Sequence, residues 1–501
     1  MGLFDEIMNS LRNKVINALG VDRELRKMIS DRDIDAAIAI YRNRDDITVK
    51  AQKEYDPRYH QIWMRPDKQR KGKSPFEVAK IPIAYQKLIN EIALTFLFGT
   101  PMKFMQDSKG TDKAFVTLMR FFKDTRFNTT IRAAKRLAGA ETECAKLYHV
   151  YMDDEGKKQV LVKVLSHSKG DRLRPLFDQY DRLVSFSHGY FIKSANNTIE
   201  HYDIYFPDVI YRCYRGAVGW VVDEIPNLIG KIPVIYYEQL TEWYGTEAAI
   251  ERVEELGCRV SDTNDYVSDP TLVISTKEAT PEVKINNSEA NKGSQTTNSS
   301  IINGLPAPDT KQQSNPGKVL FLQGAEARYL SVDTAVDLKK NERADLEKNI
   351  MLMSMTPSFA PEDLLKGGAL TGRALKRIMA LGYMKRSQNM EIYDIAISRE
   401  INLAKAIIGN VLDISMKDEM DRLEVSYEYG EPFQDDISEK IQDIVTLKDA
   451  DLMSTQTALS QIDYIKDAAS EYARIRKEKE EQQEDESQEP LFLEQSRPDD
   501  E

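Results

Sequence analysis

The clearest helical pattern in the chain lies between residues 79 and 99. Apolar side chains recur there at spacings of three and four residues, which places them on one face of a helix. They are Ile83, Leu88, Ile89, Ile92, Ala93, Phe96 and Leu97. Gly99 and Pro101 follow, and both residue types end helices. Comparable patterns predict three more helices, over 31–44, 111–123 and about 127–144.

The pattern changes to short β-branched and aromatic runs between residues 145 and 237. Runs of this kind, separated by turn residues, are typical of antiparallel strands. The clearest are Val160–Val164, Leu183–Ser187, Tyr190–Ile192, His201–Phe206 and Pro233–Tyr237. A hairpin turn is expected at Asp154, Glu155 and Gly156, because Asp and Gly favour turns. The segment is therefore predicted to be an antiparallel meander.

A long charged helix is predicted from about Glu242 to Ser268. Its apolar residues form one narrow stripe at spacings of three and four. The stripe comprises Ile250, Val253, Leu256, Val260 and Val267, with Asn264 in line. Residues 242–269 include eight acidic residues and two basic ones, Arg252 and Arg259. A helix of this length spans roughly 40 Å, which is long for a compact core.

The region after Pro270 alternates between strand-like, polar and helical segments. Two strand-like runs, Thr271–Ser275 and Lys318–Leu322, flank a polar stretch at 278–316 that has the composition of a loop. A second charged helix is predicted over 332–354, and Thr356-Pro357 ends it. After an irregular segment at 359–372, the remaining predicted elements are a helix over 373–409, a strand over 423–429, and helices over 435–448 and 454–484.

Composition and charge narrow the classes of function. The chain has 501 residues, 41% of them hydrophobic, and a net charge of −12. No run of about 18 apolar residues occurs, so no membrane partner is expected. Eleven acids against two bases between 478 and 501 predict a disordered acidic tail at 481–501. The overall negative charge indicates that any contact with DNA is loose rather than tight.

Motifs for catalysis or metal binding are missing from the sequence. Cys144, Cys213 and Cys258 form no CxxC pair, and the five histidines form no HxH or HxxxH pair. Gly72-Lys73-Ser74 lacks the first glycine of a P-loop, since position 67 is Asp67. The acidic run at 31–35 resembles an EF-hand start only superficially and is better explained as a helix N-terminus. We expect no catalytic residue, no metal and no cofactor.

Five segments, in order along most of the chain, match a set of short motifs. Phe96–Phe104 has the form LxGxPxxF, and Arg132–Gly139 is a helix that runs into the hairpin of Ala145–Asp154. The other three are Ile232–Tyr236 before the acidic helix, Thr356-Pro357 with Leu370–Lys376, and Met453–Leu459 with Asp467–Arg474. Together they resemble the portal proteins of tailed phages, in the siphophage-type, Gp6-like group. The departures are the polar insert around 286–316 and Ala369–Thr371.

The resemblance implies an α+β, mostly helical, portal-type fold that assembles as a ring, usually of twelve subunits. Its parts have the names wing, stem, clip, tunnel loop and crown. They map onto a wing at 1–237, stem helices at 238–269 and 332–355, a clip at 270–331, a tunnel loop at 356–372, a long helix returning to the wing at 373–430, and a crown at 431–480. The resemblance also implies that the ring is not an enzyme. Its implied partners are double-stranded DNA, the terminase large subunit, the major capsid and scaffolding proteins and a head–tail adaptor.

The resemblance also suggests site residues. Acidic channel-facing candidates on the first stem helix are Glu251, Glu254, Asp262 and Asp265; the alternatives are pairing with an adjacent subunit or simple solvation. The tunnel-loop candidates are Leu364, Leu365, Lys366, Gly367 and Gly368. Lys366, Arg373 and Lys376 are candidates for phosphate contact, although intersubunit carboxylates are an alternative for Arg373 and Lys376. Leu272, Ile274, Val319 and Phe321 are candidates for docking the motor or adaptor. Their strands could instead pair across subunits or form an ordinary intrachain hairpin.

Two rival classes remain open at the level of sequence. The first is a nucleic-acid enzyme or a non-catalytic accessory subunit of a nucleic-acid-processing complex. The second is a bacterial scaffold unrelated to phage. The portal interpretation places the protein at the capsid vertex of the virion, and in the host cytoplasm during assembly.

Overall fold

The structure is a computed structural model, and it describes most but not all of the 501 residues. The described ranges are 18–70, 73–193, 198–267, 272–276, 319–323, 328–329, 335–357, 379–432, 437–450, 452–460, 462 and 470–478. Helix predominates over strand in this part of the chain, and the two are mixed along it. The predicted α+β class is therefore confirmed.

Three short helices precede the sheets: α1 (Ala18–Ser30), α2 (Ile34–Ile40) and α3 (Asp45–Tyr55). The Asp33 side chain accepts the Ala36 amide and caps α2, so the acidic run does begin a helix, as predicted. That helix ends at Ile40, and α3 continues the segment after a break. The Tyr41 hydroxyl lies 2.7 Å from the Ser185 hydroxyl and joins this region to the sheet behind it.

A β-hairpin, β1 (Lys68–Arg70) with β2 (Lys73–Phe76), leads to a larger helical region. The latter contains α4 (Tyr85–Phe98), β3 (Lys103–Gln106), α5 (Asp112–Asp124) and α6 (Phe127–Glu141). Helix α4 begins six residues later than its apolar pattern predicted. Pro82 is the physical reason, because a proline disfavours helix in the residue before it. The segment from Ala79 to Ile83 is non-helical instead.

The β-rich segment forms two antiparallel sheets rather than one meander. Its strands are β4 (Glu143–Met152), β5 (Lys158–Leu165), β6 (Arg172–Phe177), β7 (Leu183–Lys193), β8 (Thr198–Tyr205), β9 (Val209–Arg215), β10 (Trp220–Pro226) and β11 (Val234–Glu238). Strands β6 to β10 form a five-stranded sheet in sequential order, whereas β4 lies between β11 and β5 in a three-stranded sheet. Gly156, at φ 76°, makes the predicted turn between β4 and β5.

Two helices and a small sheet follow: α7 (Glu247–Val267), β12 (Leu272–Thr276), β13 (Val319–Gln323), β14 (Arg328–Tyr329) and α8 (Ala335–Met353). Helix α7 begins five residues later than predicted, because Gly245 adopts a left-handed turn at φ 85°. Strands β12 and β13 pair with each other in parallel, and β14 pairs antiparallel with β12. The alternative of an ordinary hairpin is therefore wrong, since a hairpin requires antiparallel strands.

The last described elements are α9 (Ala380–Ile407), α10 (Lys417–Arg422), β15 (Val425–Glu428), α11 (Ile437–Asp449) and α12 (Thr455–Ser460). Strand β15 lies within the strand predicted at 423–429 and pairs antiparallel with β3 of the larger helical region. The prediction of one continuous helix over 454–484 is wrong. Helix α12 ends at Ser460, Ile462 is not helical, and helix resumes at 470–478.

Helix α9 lies across the main core. Tyr393, Ile397, Ala404 and Ile407 are buried there with apolar residues of α4, α5 and α6. Its Glu400 carboxylate is fully buried and bonds the Lys146 ammonium and the Tyr148 hydroxyl of β4. Burying a carboxylate is costly unless it is paired and hydrogen-bonded, and here it is both.

Candidate functional site

Helices α7 and α8 form an antiparallel hairpin. Lys339 donates to the Thr263 hydroxyl over 3.0 Å near one end, and Arg252 pairs with Glu342 over 2.8 Å further along. At the other end Ile350 is buried in a cluster with Ile250. The two charged helices predicted on either side of the polar insert are thus direct neighbours.

One edge of the hairpin is fixed to the rest of the chain by a ladder of backbone donors. The Ile83 amide donates to Glu254 over 2.7 Å, and the Ala79 amide donates to Asp262 over 2.8 Å. Between them the Ile81 amide lies 3.1 Å from the Cys258 sulfur. Four residues of helix rise about 6 Å and two extended residues about 6.6 Å, so the three contacts stay in step.

A buried histidine lies at the first contact of this ladder. His60 Nδ1 is 2.6 Å from Glu254, and its Nε2 is 2.8 Å from the Glu54 carbonyl oxygen. Both neighbours present oxygen acceptors, so the geometry favours the charged imidazolium, in which both ring nitrogens donate. Burial alone would lower the pKa of His60, but the hydrogen bond and charge of Glu254 outweigh it and the pKa is raised.

The last contact of the ladder has a cationic partner as well. Arg65 donates to one carboxylate oxygen of Asp262 over 2.7 Å, and the Ala79 amide donates to the other oxygen of the same carboxylate. Burial would raise the pKa of Asp262, but these donors outweigh it and the pKa is lowered. The carboxylate therefore stays ionised inside the contact between α7 and the preceding segment.

A third buried carboxylate lies just before α7. Glu242 pairs with Lys135 of α6 and with Lys385 of α9 at 3.0 Å. Burial would raise the pKa of Glu242, but the two ammonium groups lower it to about 2. At the next residue, the Trp243 indole donates to the Glu54 carboxylate of α3 over 2.9 Å. The base of the hairpin is thus bonded to three different helices.

These contacts correct part of the expectation for the acidic stem residues. Glu254 and Asp262 are only 2% and 6% exposed and point at His60 and Arg65, so they do not line an open surface. Glu251 is exposed, as that expectation requires. Asp265 lies on α7, but its side chain is outside the described residues. Helix α7 itself carries six acids and two bases, a net −4 where the longer predicted helix had −6.

The other predicted site residues are only partly placed. Leu364, Leu365, Lys366, Gly367, Gly368, Arg373 and Lys376 lie outside the described residues. Leu272 and Ile274 of β12 are backbone partners of Val319 and Phe321 of β13. The strands thus have partners within their own chain, and pairing between subunits is not needed to satisfy that shared edge.

Within the described ranges, no group of His, Cys, Asp and Glu side chains is arranged to hold a metal ion. The three cysteines are buried and free. In the same ranges no helix is both long enough and apolar enough to cross a membrane.

No direct signal in the sequence identifies the residues that hold the hairpin in place. His60 appeared as an isolated histidine, and Lys135 as an ordinary helix residue. Their partners, Glu254 and Glu242, lie 194 and 107 positions further along the chain. One local hint was present: the alternation of residues 79–83 around Pro82 favours an extended segment.

Two charged helices are packed side by side and bonded along one edge to a helix-and-sheet body. The chain belongs to the family described as phage portal protein, SPP1 Gp6-like, whose model matches residues 33–485. Proteins of this family are structural, non-catalytic, capsid-associated oligomers at a virion vertex. No curated protein matches the chain significantly.

Proposed function

We propose that this chain is one subunit of a portal ring, usually of twelve subunits, at the unique vertex of a phage capsid. Double-stranded DNA enters the capsid through the ring during packaging and leaves through it during ejection. The observation that carries the proposal is the hairpin of α7 and α8, which is bonded along one edge to the body by Ile83, Ile81 and Ala79. A hairpin held in this way can serve as a rigid wall segment of a channel.

The charge of the chain supports a passive channel rather than a DNA clamp. Tight binding of duplex DNA needs several Lys or Arg side chains on phosphates, which release counterions. Arg252 and Arg259 of α7 are both occupied by Glu255, at 2.8 and 2.5 Å. Glu254 and Asp262 are buried, so Glu251 and Asp265 are the two acidic residues of the original four that remain candidates for the channel surface. A wall of this kind lets DNA slide.

The remaining regions receive their proposed roles from the family. Residues 238–269 and 332–355 are the stem, and the sheet of β12, β13 and β14 belongs to a clip at 270–331 that docks the terminase large subunit and later the head–tail adaptor. Residues 356–372 are the tunnel loop, where Lys366 contacts DNA phosphates. The wing lies at 1–237 with 373–430 and the crown at 431–480, and the assembled ring meets the major capsid and scaffolding proteins. Assembly takes place in the host cytoplasm.

Negative-stain electron microscopy of the purified full chain tests the proposal. We expect rings with a central hole, and a mass by light scattering that is a multiple of 57.3 kDa. A strictly monomeric chain would contradict the proposal and favour the accessory-subunit alternative. ATP hydrolysis or metal-dependent nuclease activity of the isolated chain would favour a nucleic-acid enzyme instead.

A further inference from the structure

The hairpin has two outward faces on opposite sides. On α7, the face away from α8 forms one wall of a groove of about 350 Å³. Its lining includes Ile62, Arg65, Ala248, Glu251 and Glu255. Ile62 is buried beneath the groove, whereas Ala248 and Glu251 are exposed. The groove therefore combines a small apolar floor with a charged rim.

The outer face of α8 carries apolar side chains that nothing in the described part of the chain covers. Leu338 and Leu352 are 72% and 51% exposed. With Asp345 they are spaced by seven residues, so all three lie along one line of the helix, and Lys348 is next to that line. Leu346 and Ile350 face α7 instead. Two exposed leucines about 21 Å apart, with Asp345 midway between them, give this face a mixed apolar and acidic character that suits a docking surface.

We propose that the outer face of α8 docks into the α7 groove of a second copy of this chain. The inference rests on the proposed ring. A ring needs a head-to-tail contact between two different surfaces of the same chain, and the two outward faces of the hairpin supply such a pair. Rotation about a ring axis also keeps every residue at its own height along that axis.

Matching heights identify which residues meet. Ile250 and Ile350 are packed together inside one hairpin. The helices are antiparallel, so a step of two residues from Ile350 to Leu352 on α8 matches a step of two residues from Ile250 back to Ala248 on α7. Leu352 is therefore level with Ala248. Lys348 is likewise level with Arg252 and within about 1.5 Å in height of Glu251. For hairpins that stand along the ring axis, Leu352 of one copy therefore meets Ala248 and Ile62 of the next.

Opposite charges can be paired close to these heights, one residue away from the exact match in the case of Lys348 and Glu251. Lys348 and Glu251 are both exposed, and within the described ranges neither takes part in an ion pair of its own chain. Asp345 is level with Glu255, whose carboxylate is already flanked by Arg252 and Arg259. The partner's aspartate therefore meets guanidinium groups. This assignment places Glu251 at the boundary between subunits rather than on the channel surface.

Disulfide trapping tests the contact on the full chain. One chain carries Ala248→Cys, a second carries Leu352→Cys, and the two are assembled together and oxidised. The native cysteines are buried and need not be removed. We expect a crosslinked dimer on a non-reducing gel from the mixture. The matched control pairs Ala248→Cys with Ala344→Cys, an exposed position on α8 about 12 Å from Leu352, and should give little crosslink.

A charge exchange tests the same contact without cysteines. Glu251→Lys alone and Lys348→Glu alone should each lower the yield of rings several-fold, and the double variant should restore it. Intact rings with no excess of crosslinking over the control, or with no rescue by the double variant, would overturn the inference while leaving the portal proposal standing. Failure of the parent chain to form any ring would overturn both.

Discussion

The amide of Ala79 donates a hydrogen bond to the carboxylate of Asp262 over 2.8 Å, across 183 positions of sequence. With the matching bond from Ile83 to Glu254, it fixes both the height and the rotation of α7 against the body. A helix held by backbone donors at two of its turns cannot slide without leaving half-buried amides unpaired. The hairpin is therefore part of the body's hydrogen-bond network rather than a loosely attached projection.

Replacing Asp262 with alanine should destabilise the fold by roughly 2–4 kcal/mol, because the Ala79 amide and the Arg65 guanidinium lose their buried acceptor. Asp124→Ala, at an exposed carboxylate at the end of α5, is the matched control and should change the free energy of unfolding by about 0.5 kcal/mol or less. Denaturant titration of both variants measures the difference. Equal effects at the two positions would show that the ladder contributes nothing to stability.

The stabilisation from His60 should depend on pH in a defined direction. Since its pKa is raised in the folded chain, the stabilisation is complete below the unfolded value of about 6.5 and is lost as pH rises through the folded pKa. The parent chain should therefore melt at a higher temperature than His60→Asn. This difference in melting temperature should be largest near pH 6 and smaller near pH 9. Comparison of the two chains cancels the titration of the other histidines. A gap that widens with pH would contradict the charged pair.

Glu242 should behave in the opposite sense. Its lowered pKa of about 2 stabilises the fold above the unfolded value of about 4.5, and the stabilisation is lost as pH falls through about 2. At neutral pH, Glu242→Gln should cost about 3–5 kcal/mol, because Lys135 is left buried without a counter-charge. The double variant Lys135→Met with Glu242→Leu should recover part of this loss. A double variant less stable than Glu242→Gln would argue against the buried charges as the cause.

Two helical glycines give a paired test of packing between helices. A Cβ at Gly382 of α9 would lie 2.2 Å from the Phe96 ring, so Gly382→Ala should cost about 1–3 kcal/mol. A Cβ at Gly257 of α7 would meet only the Arg343 guanidinium, at 3.9 Å. Gly257→Ala should then stabilise the chain by about 0.5–1 kcal/mol through helix propensity. Thermal melts of both variants measure the contrast, and loss of stability at both positions would refute it.

The sequence predicted local elements better than the contacts that join them. The periodic stripe of α7 and the turn at Gly156 were correctly predicted because each depends on neighbouring residues. The late start of α7 was missed, since Gly245 gives no periodic signal. The pairing of β12 with β13 and the burial of Glu254 depend on segments far apart in the chain, and a charged residue on a charged helix looks solvated until its partner is known.

The net charge predicts how the assembled protein responds to duplex DNA. At −12, the chain should make few phosphate contacts, and each contact adds about 0.9 to the slope of affinity against salt on logarithmic axes. We expect a slope of about 2 or less for the purified full chain with linear duplex. Ending the chain at residue 478 removes ten acids and two bases and leaves a net charge of −4, so weak binding should become somewhat tighter. Fluorescence anisotropy at several salt concentrations measures both quantities. A steep slope of about 6 or more in the full chain would mean that the protein grips DNA, which a sliding channel should not do.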